Sequence, residues 1–498
     1  MSGRPVTPSR HTHPQTYHRT HRSLRRAAAL LGAFALATGG LAVGGLAHPP
    51  RAAASPGCGD LPSWDFDQDG TADLAIGAPL SADHGEVQLR ITHEGQHQHQ
   101  AITAPAGAIG FGGALASVSS NEADSDTTFC TQLAVGAPRE TVNGHAEAGA
   151  VYLYRWNGTK MALRARYVQG QNGVPGTPQT GGHFGAALAA QPLVPGSDSA
   201  LPLYVGAPGQ NVGYATGAGS VTELTIHDTA DAHADGSVTT LLTTGIPGQP
   251  TNGGALGASL STAGGVVAAG APGQAIDGRP GAGAVLTFVR RATGIAAPRL
   301  LTQSTAGVPG AVEENDRFGS SVSTVVLNNA NQTVETLVGV PDEDIGTVAN
   351  AGMAMSFRTN AATGAIGTFR GFQQGSGGVG GAPEAGDQFG FSVSDQQSGP
   401  DGAPLRLVGV PGEDVGSVRD AGGVNQVGAA SNKSWVEGSG SVTGTPETGD
   451  QMGWSVSGTA KLIAGVPGEN GYGMTYTPWG YVGPLHPDPG ARFGAIVH

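Results

Sequence analysis

Four aspartates stand close together in residues 65–73, which read Asp-Phe-Asp-Gln-Asp-Gly-Thr-Ala-Asp. Carboxylates at alternate positions can converge on a hard cation, and Gly70 in the middle permits the sharp turn that such a loop needs. Thr71 can add its backbone carbonyl. The pattern predicts a metal-binding loop; the alternative is an acidic turn that holds no metal.

Three histidines, His93, His97 and His99, follow within a short segment. Residues 93–97 read His-Glu-Gly-Gln-His and match the H-E-x-x-H pattern of zinc proteases, which places both histidines on one face of a helix. Here the segment contains a glycine and follows a predicted strand at residues 86–92. We therefore expect a solvated hairpin tip, with loose metal capture by the three histidines as an alternative.

Four serines occupy the same place in Gly-x-Ser-apolar-Ser segments, and they are Ser259, Ser321, Ser392 and Ser455. The segment is close to the Gly-x-Ser-x-Gly turn of hydrolases. A nucleophile is needed only once, so the recurrence favours a role in strand structure. We identify no catalytic constellation.

Acidic residues recur in three consecutive stretches of the second half of the chain. Some follow a Gly-x-Pro tripeptide, namely Asp342, Glu343, Asp344, Glu413, Asp414 and Glu469. Others precede an apolar-Gly pair, namely Glu313, Glu314, Asp316, Glu384, Asp387, Glu447 and Asp450. In an antiparallel repeat these two connections emerge on the same side. The acids are either solvated turn residues, or Asp342, Asp344, Glu413 and Asp414 belong to a binding face for a basic or cation-bridged partner.

The elements that position these residues are internal repeats. Gly-x-Pro after a short apolar run begins seven times, at Gly77, Gly136, Gly206, Gly270, Gly339, Gly409 and Gly465. An apolar residue followed by Gly opens a predicted strand seven times, at Phe111, Phe184, Leu256, Phe318, Phe389, Met452 and Phe493. Behind Gly-x-Pro comes Gly with alternating apolar residues, as in residues 148–153, a pattern typical of half-buried strands.

Four short antiparallel strands in each unit are typical of β-propeller blades. A blade alone cannot cover both of its apolar faces, so blades pack against their neighbours around a ring. The sequence therefore predicts an all-β fold, a seven-bladed β-propeller of four-stranded antiparallel blades in residues 55–498. Glycines at the strand starts allow close backbone approach.

The two ends of the chain complete one another. The first Gly-x-Pro, at Gly77, has no apolar-Gly pair before it, and the last pair, at Phe493, has no Gly-x-Pro after it. If residues 492–498 are placed directly before Trp64 and Asp65, the two segments together have the same order of motifs as the other repeat units. We expect the C-terminal segment to supply the innermost strand of the closing blade, which leaves no open sheet edge.

Phe-Gly followed about 20 residues later by Gly-Ala-Pro resembles the FG-GAP repeat of integrin α-subunit propellers and of many bacterial secreted proteins. The resemblance covers essentially all of residues 55–498. Gly-Ala-Pro stands at Gly77, Gly136, Gly206 and Gly270, and becomes Gly-Val-Pro in the last three units.

In that family a calcium loop, D-x-D-x-D-G-x-x-D, joins the first two strands of some blades, and residues 65–73 match every position. The resemblance implies Ca²⁺ as a cofactor, with the ligands Asp65, Asp67, Asp69, Thr71 and Asp73. The corresponding segments before the other Gly-x-Pro sites, such as residues 121–128 and 191–200, lack these carboxylates, so we expect one such site. We expect its ion to fasten the chain ends together.

Residues 1–54 are typical of an export signal, with Arg22, Arg25 and Arg26 before an apolar run at residues 27–47 and a small-residue cleavage site at residues 52–54. The remaining chain carries 18 basic and 38 acidic residues, a formal net charge of −20. Such a charge disfavours nucleic acid as a partner. No other segment is apolar enough to span a membrane.

The two cysteines of the sequence, Cys58 and Cys130, both lie beyond the leader. In an oxidising compartment they are expected to form one disulfide; the alternative is two free thiols.

The functional expectation is a calcium-binding interaction or adhesion scaffold that is secreted and either released or associated with the cell surface. Its monomeric ring would present loops to an extracellular protein or glycan. The alternative is an extracellular hydrolase or lyase with its site at the mouth of the channel, which acidic or histidine side chains there would favour.

Overall fold

The computed structural model describes residues 64–81, 84–93, 96–119, 131–191, 202–226, 234–328, 332–397, 404–428, 432–458 and 462–497. These residues form 28 strands in seven sheets of four antiparallel strands. The predicted seven-bladed β-propeller is confirmed. The described residues also contain a 3₁₀ turn at Glu469–Gly471. Within them, no helix has the length and hydrophobicity required to cross a lipid bilayer.

The blades are numbered along the chain. Blade 1 consists of β1 (Leu74–Ala78), β2 (Glu86–His93), β3 (Gln96–Thr103) and β28 (Ile496–Val497). Blade 2 consists of β4 (Ala114–Ser119), β5 (Thr131–Ala137), β6 (Ala150–Trp156) and β7 (Met161–Tyr167). Blade 3 consists of β8 (Leu188–Ala190), β9 (Leu203–Ala207), β10 (Ser220–Ile226) and β11 (Ala234–Thr239).

Blade 4 consists of β12 (Ser259–Ala263), β13 (Val266–Ala271), β14 (Ala284–Arg291) and β15 (Gly294–Leu301). Blade 5 consists of β16 (Ser321–Asn328), β17 (Thr333–Val340), β18 (Met353–Asn360) and β19 (Arg370–Phe372). Blade 6 consists of β20 (Val393–Gln397), β21 (Pro404–Val410), β22 (Gly423–Val427) and β23 (Ser434–Trp435). Blade 7 consists of β24 (Val456–Gly458), β25 (Leu462–Val466), β26 (Met474–Thr477) and β27 (Gly480–Val482).

The innermost strands form a closed ring around the central channel. These strands are β28, β4, β8, β12, β16, β20 and β24, and each of them contacts the innermost strands of both neighbouring blades. Strand β28 pairs antiparallel with β1, with Val497 opposite Ile76 and Ile496 opposite Gly77. The expected closure of blade 1 by the C-terminal segment is therefore confirmed.

The hydrophobic core is divided into parcels that lie between neighbouring blades. In the first parcel, Phe111 packs with Val87 and Leu89 of blade 1 and with Leu133 and Val135 of blade 2. The apolar residue of each apolar-Gly pair is at most 1% exposed. A chain with only 5% aromatic residues can fill such parcels because each one is thin and is built mainly from Val, Leu and Ala.

The apolar-Gly pairs lie in turns just before the innermost strands rather than inside them. Their glycines have φ between 82 and 97°, a left-handed conformation that favours glycine. In blade 7, for example, the N–H of Gly453 donates to the carbonyl of Gly465 of the same blade at 3.0 Å. The turn therefore fixes where the innermost strand begins.

The Gly-x-Pro glycines face the backbone of the next blade at very short range. A Cβ placed on any of the seven would lie 1.8 to 2.3 Å from the carbonyl oxygen of an apolar-Gly glycine in the following blade. Gly409 of blade 6 faces Gly453 of blade 7 in this way, and Gly465 of blade 7 faces Gly494 of blade 1. No other residue type fits without moving one blade away from its neighbour.

Replacing Gly409 by Ala is expected to lower the free energy of unfolding by about 3 kcal/mol, because the new methyl group overlaps backbone that cannot rotate away. Gly367→Ala is the matched control, since a Cβ there lies 3.6 Å from its nearest neighbour. It should change stability by less than about 1 kcal/mol. Denaturant unfolding measures both, and equal effects would show that the inter-blade contact is not tight.

Candidate functional site

The aspartate loop, residues 65–73, lies directly before β1 and is closed by its own backbone. The N–H of Asp73 donates to the carbonyl of Trp64 at 2.8 Å. Asp65 accepts the N–H groups of Asp69 at 3.2 Å and Gly70 at 2.9 Å. Gly70 has φ of 91°, which supplies the sharp turn expected from the sequence. The loop is therefore ordered by its own carboxylates.

Asp73 connects this loop to blade 1. Its carboxylate accepts the N–H of Phe66 at 2.9 Å and the N–H of Thr92, on β2, at 2.8 Å. The loop is thus held against the hairpin of β2 and β3 in the blade that the C-terminal strand completes.

The carboxylates of the loop converge. One oxygen from each of Asp65, Asp67 and Asp73 lies within 4.8 Å of the others. Burial, with the charge of Asp67 as a further cause, raises the pKa of Asp65 to about 6 and the pKa of Asp73 to about 7. Buried carboxylates at this separation repel one another when ionised, and a cation between them would relieve that repulsion.

The donor set therefore fits a hard divalent cation. Three carboxylates converge, and Asp69 is a fourth within the same turn. Thr71 donates its N–H to Asp69 at 2.8 Å, which fixes the backbone of the loop at the position that is expected to offer a carbonyl.

The sequence did not predict that His93 reaches this loop. Its Nδ1 lies 2.8 Å from an oxygen of Asp67 and 3.8 Å from an oxygen of Asp69. The imidazole can therefore pair with the carboxylates when protonated or stand beside a bound cation when neutral. The only signal in the sequence was its position at the end of the strand that pairs with β1.

His93 ends β2 and His97 lies in β3, so the two histidines belong to paired strands of a β-hairpin rather than to a helix, as the sequence predicted. In the register of β2 and β3, His93 is opposite Gln96, whereas His97 is opposite Thr92. Adjacent pairs of a sheet face opposite sides, so His93 and His97 point apart. The zinc protease geometry is therefore not formed.

His97 and His99 instead line a cavity of about 350 Å³ on blades 1 and 7, together with Arg90, Trp479 and Tyr481. Trp479 is 67% exposed, and the guanidinium of Arg90 lies 4.7 Å from its ring centre. Burial, with the charges of Arg90 and His97, lowers the pKa of His99.

A second, smaller cavity of about 100 Å³ joins this surface to the aspartate loop. Asp73, Arg90, Thr92 and Trp479 all line it. The aromatic surface and the carboxylate cluster are therefore neighbours on one part of the molecule.

The recurrent serines have a structural role. Their hydroxyl groups donate to the apolar-Gly carbonyl of the next blade at 2.7 to 2.8 Å, from Ser259 to Gly319, Ser321 to Gly390, Ser392 to Gly453 and Ser455 to Gly494. The same carbonyls face the Gly-x-Pro glycines. The expected role in strand structure is thus seen as hydrogen bonds between blades.

One mouth of the channel contains a cavity of about 300 Å³. All seven innermost strands line it, with Phe391 and Trp454 as its aromatic residues. The described residues that line it carry hydroxyl groups from serine but no acidic or basic side chain. The groups that would favour a hydrolase or lyase are not among them.

The four residues of the alternative acidic binding face, Asp342, Asp344, Glu413 and Asp414, all have partners within the fold. Asp342 pairs with Arg317 at 3.1 Å and accepts a hydrogen bond from Gln388 at 3.0 Å. Asp344 and Asp414 are exposed, and each accepts a backbone N–H across a short turn. Glu413 accepts a hydrogen bond from Gln374. Each residue therefore stabilises a loop, whatever else it contacts.

Two blade junctions hold a repeated group of acids that the sequence assigned either to solvated turns or to a binding face. At the junction of blades 4 and 5, Gln303 donates to Glu343 at 2.5 Å, and Asp316 accepts the N–H of Glu313 at 2.7 Å. Burial, together with neighbouring acids, raises the pKa of Glu343 to about 8 and that of Asp316 to about 6.

Gln374, Glu413 and Asp387 repeat this group at the next junction, and burial raises the pKa of Asp387 to about 7. Asp316, Glu343 and Asp387 are at most 5% exposed. These acids are therefore not free to contact a partner from solvent.

Several predictions from the sequence lie outside the described residues. They include the export signal at residues 1–54, the disulfide between Cys58 and Cys130, and the segments at residues 121–128 and 192–200.

No protein-family model matches this sequence, and no curated protein is found to match it. The fold and the geometry of the site are therefore the basis for assigning a function.

Glu343→Gln is expected to make stability less dependent on pH. Between the ordinary carboxyl pKa of 4.5 and about 8, the folded wild type keeps a proton that the unfolded chain has lost, so its stability falls as pH rises. Glutamine cannot ionise, and Gln210 and Gln274 fill the equivalent positions of blades 3 and 4. The variant should gain roughly 1–3 kcal/mol at pH 8 and almost nothing at pH 4.5.

Denaturant unfolding at several pH values measures this gain, with the exposed Glu314→Gln as the control. An equal change in the free energy of unfolding for the two variants at pH 8 would contradict the buried, protonated state of Glu343.

Proposed function

We propose that this protein is a secreted, calcium-binding interaction scaffold of the FG-GAP propeller type, which binds an extracellular glycan beside its calcium loop. The observation that carries the proposal is the convergence of Asp65, Asp67 and Asp73 within 4.8 Å in a loop held against blade 1. The ring fold is consistent with a binding scaffold, because its rigid blades present loops at fixed positions.

Calcium is the cation that best suits the aspartate loop. It takes six to eight oxygen ligands in flexible geometry, and a loop with several carboxylates and a carbonyl supplies that number. His93 lies beside Asp67, so a protonated imidazole can offset the negative charge of the carboxylates when no ion is bound. Extracellular calcium is abundant enough to occupy a site of modest affinity.

The surface around Trp479 supports a glycan as the ligand. An exposed aromatic ring beside hydrogen-bonding side chains is typical of a site that stacks a ligand and orients it by hydrogen bonds. Arg90 and the histidines of β3 supply those polar groups. Because Asp73 and Trp479 line one cavity, an ion in the loop would also fix the floor of the glycan site.

The negative charge of the chain disfavours nucleic acids and anionic membranes as partners. A formal net charge of −20 after the leader repels phosphate groups and leaves cations, basic proteins and neutral glycans as candidates. Secretion is supported by the basic and apolar leader in residues 1–54.

Replacing Asp67 and Asp69 by Ala is expected to abolish stabilisation by calcium. An ion that binds only the folded chain adds about 2.7 kcal/mol when its concentration is a hundredfold above Kd. The melting temperature of the wild type should therefore rise with CaCl₂ and fall with chelator, and the variant should show no response.

The matched control is Glu313→Ala with Glu314→Ala, which removes two exposed carboxylates and the same charge. It should keep the calcium response. If the melting temperature of the wild type is the same with and without chelator, the proposed calcium site is wrong.

Trp479→Ala is expected to abolish calcium-dependent retention on insoluble polysaccharide while leaving the melting temperature almost unchanged, because the side chain is largely exposed. Cosedimentation with cell-wall, matrix and polysaccharide preparations, with CaCl₂ or chelator, measures retention.

The comparison arm is Asp344→Lys with Asp414→Lys, which reverses two exposed charges of the acidic face. Loss of retention in this arm alone would place the ligand on the acidic loops. Turnover of a polysaccharide by the wild type would show an enzyme instead.

A further inference from the structure

At the junction of blades 6 and 7, one position of the acidic group differs from the two junctions before it. At the junctions of blades 4 and 5 and of blades 5 and 6, a glutamine donates to the glutamate that follows Gly-x-Pro. The third junction places Glu437 where Gln303 and Gln374 stand, five residues before a buried valine in each case. A hydrogen-bond donor is therefore replaced by a carboxylate.

Three carboxylates converge at this junction. One oxygen from each of Glu437, Asp450 and Glu469 lies within 4.8 Å of the others. Glu437 is 2% exposed and Asp450 is 1% exposed. They come from three separate turns, one after β23, one before β24 and one after β25.

Each carboxylate is held by a neutral donor. The hydroxyl of Tyr481 donates to Glu437, the N–H of Glu447 donates to Asp450 at 2.5 Å, and the amide of Asn470 donates to Glu469 at 2.6 Å. Among the described residues no basic side chain compensates the three acids. The three carboxylates are therefore held in place, but no positively charged side chain among the described residues offsets their charge.

Two oxygens of the cluster are buried without any hydrogen-bond partner, Oε2 of Glu437 and Oε2 of Glu469. A buried carboxylate oxygen that accepts no hydrogen bond is costly unless a proton or a metal ion meets it. This observation is separate from the clustering of acids, because the other oxygen of each residue already has a donor.

The acids also raise one another's pKa. Burial is the first cause and the neighbouring carboxylates follow, raising the pKa of Glu437 to about 9 and that of Glu469 to about 7. Exposed Glu447 adds a fourth negative charge nearby. At neutral pH the group must therefore take up either protons or a cation.

The geometry points to a second cation site, in which Glu437, Asp450 and Glu469 bind one hard divalent cation, calcium or magnesium, between blades 6 and 7. Three carboxylates supply only oxygen ligands, which these ions prefer over histidine or thiolate. The site is distinct from residues 65–73 and does not depend on them. It joins two neighbouring blades, since Glu437 follows the last strand of blade 6 and Glu469 lies in blade 7.

The test is isothermal titration of the full chain with CaCl₂ and with MgCl₂, for the wild type and for Glu437→Gln. Glutamine restores the arrangement of the two preceding junctions, so the variant should keep the fold, which circular dichroism checks. We expect the wild type to bind one more ion than Glu437→Gln, or to bind it at least tenfold more tightly.

The same comparison in a chain that also carries Asp67→Ala and Asp69→Ala separates the two sites. Binding that remains in this background and disappears with Glu437→Gln assigns the ion to the junction, whether or not the aspartate loop binds calcium. The proposal is wrong if Glu437→Gln leaves the number and the affinity of bound ions unchanged in the wild-type background.

Gln374→Glu provides the converse experiment. It places a third carboxylate beside Asp387 and Glu413, so it should add one bound ion at the junction of blades 5 and 6. A folded Gln374→Glu protein that binds no additional ion would show that three carboxylates at such a junction do not hold a cation, and the proposal would fall.

Discussion

The ring depends on a backbone contact in which a glycine of each Gly-x-Pro meets the carbonyl of an apolar-Gly glycine in the next blade. The contact sets the distance between blades, and the thin apolar parcels can exclude water only at that distance. Since the ring is closed, a displacement at one junction must be absorbed by the others. Four serine hydroxyls bind the same carbonyls, which adds a directional hydrogen bond to a contact that is otherwise only steric.

This contact explains why the fold and the number of its blades could be predicted from the sequence. A contact that admits only glycine leaves the same residue at the same place in every unit, so the number of blades can be counted from Gly77 to Gly465. The closing strand was predicted for the same reason, because Phe493 and Gly494 form a pair that lacks its Gly-x-Pro until Gly77 supplies it. The turn at Gly70 was also visible, since the aspartates around it recur at alternate positions.

The side-chain partners within and across blades were not predicted, because they depend on how strands that are separated in sequence lie beside one another. His93 reaches Asp67 only because β2 ends beside the aspartate loop. Glu335 of blade 5 and Arg406 of blade 6 form a buried ion pair although 71 residues separate them. From the sequence the acids of the blade junctions were either solvated turn residues or part of a binding face, and only their burial distinguishes Glu343 or Asp387 from the exposed Asp344.

The pairing of β28 with β1 also determines the order of events when the protein is made. Strand β1 is synthesised early, yet its inner neighbour is completed only with Val497. At ordinary rates of translation this interval is roughly 20–80 s. During that time a nascent chain exposes a row of free amide and carbonyl groups along Ile76 and Gly77, which other chains could join. The ring can therefore close only after almost the whole of the propeller sequence has been synthesised.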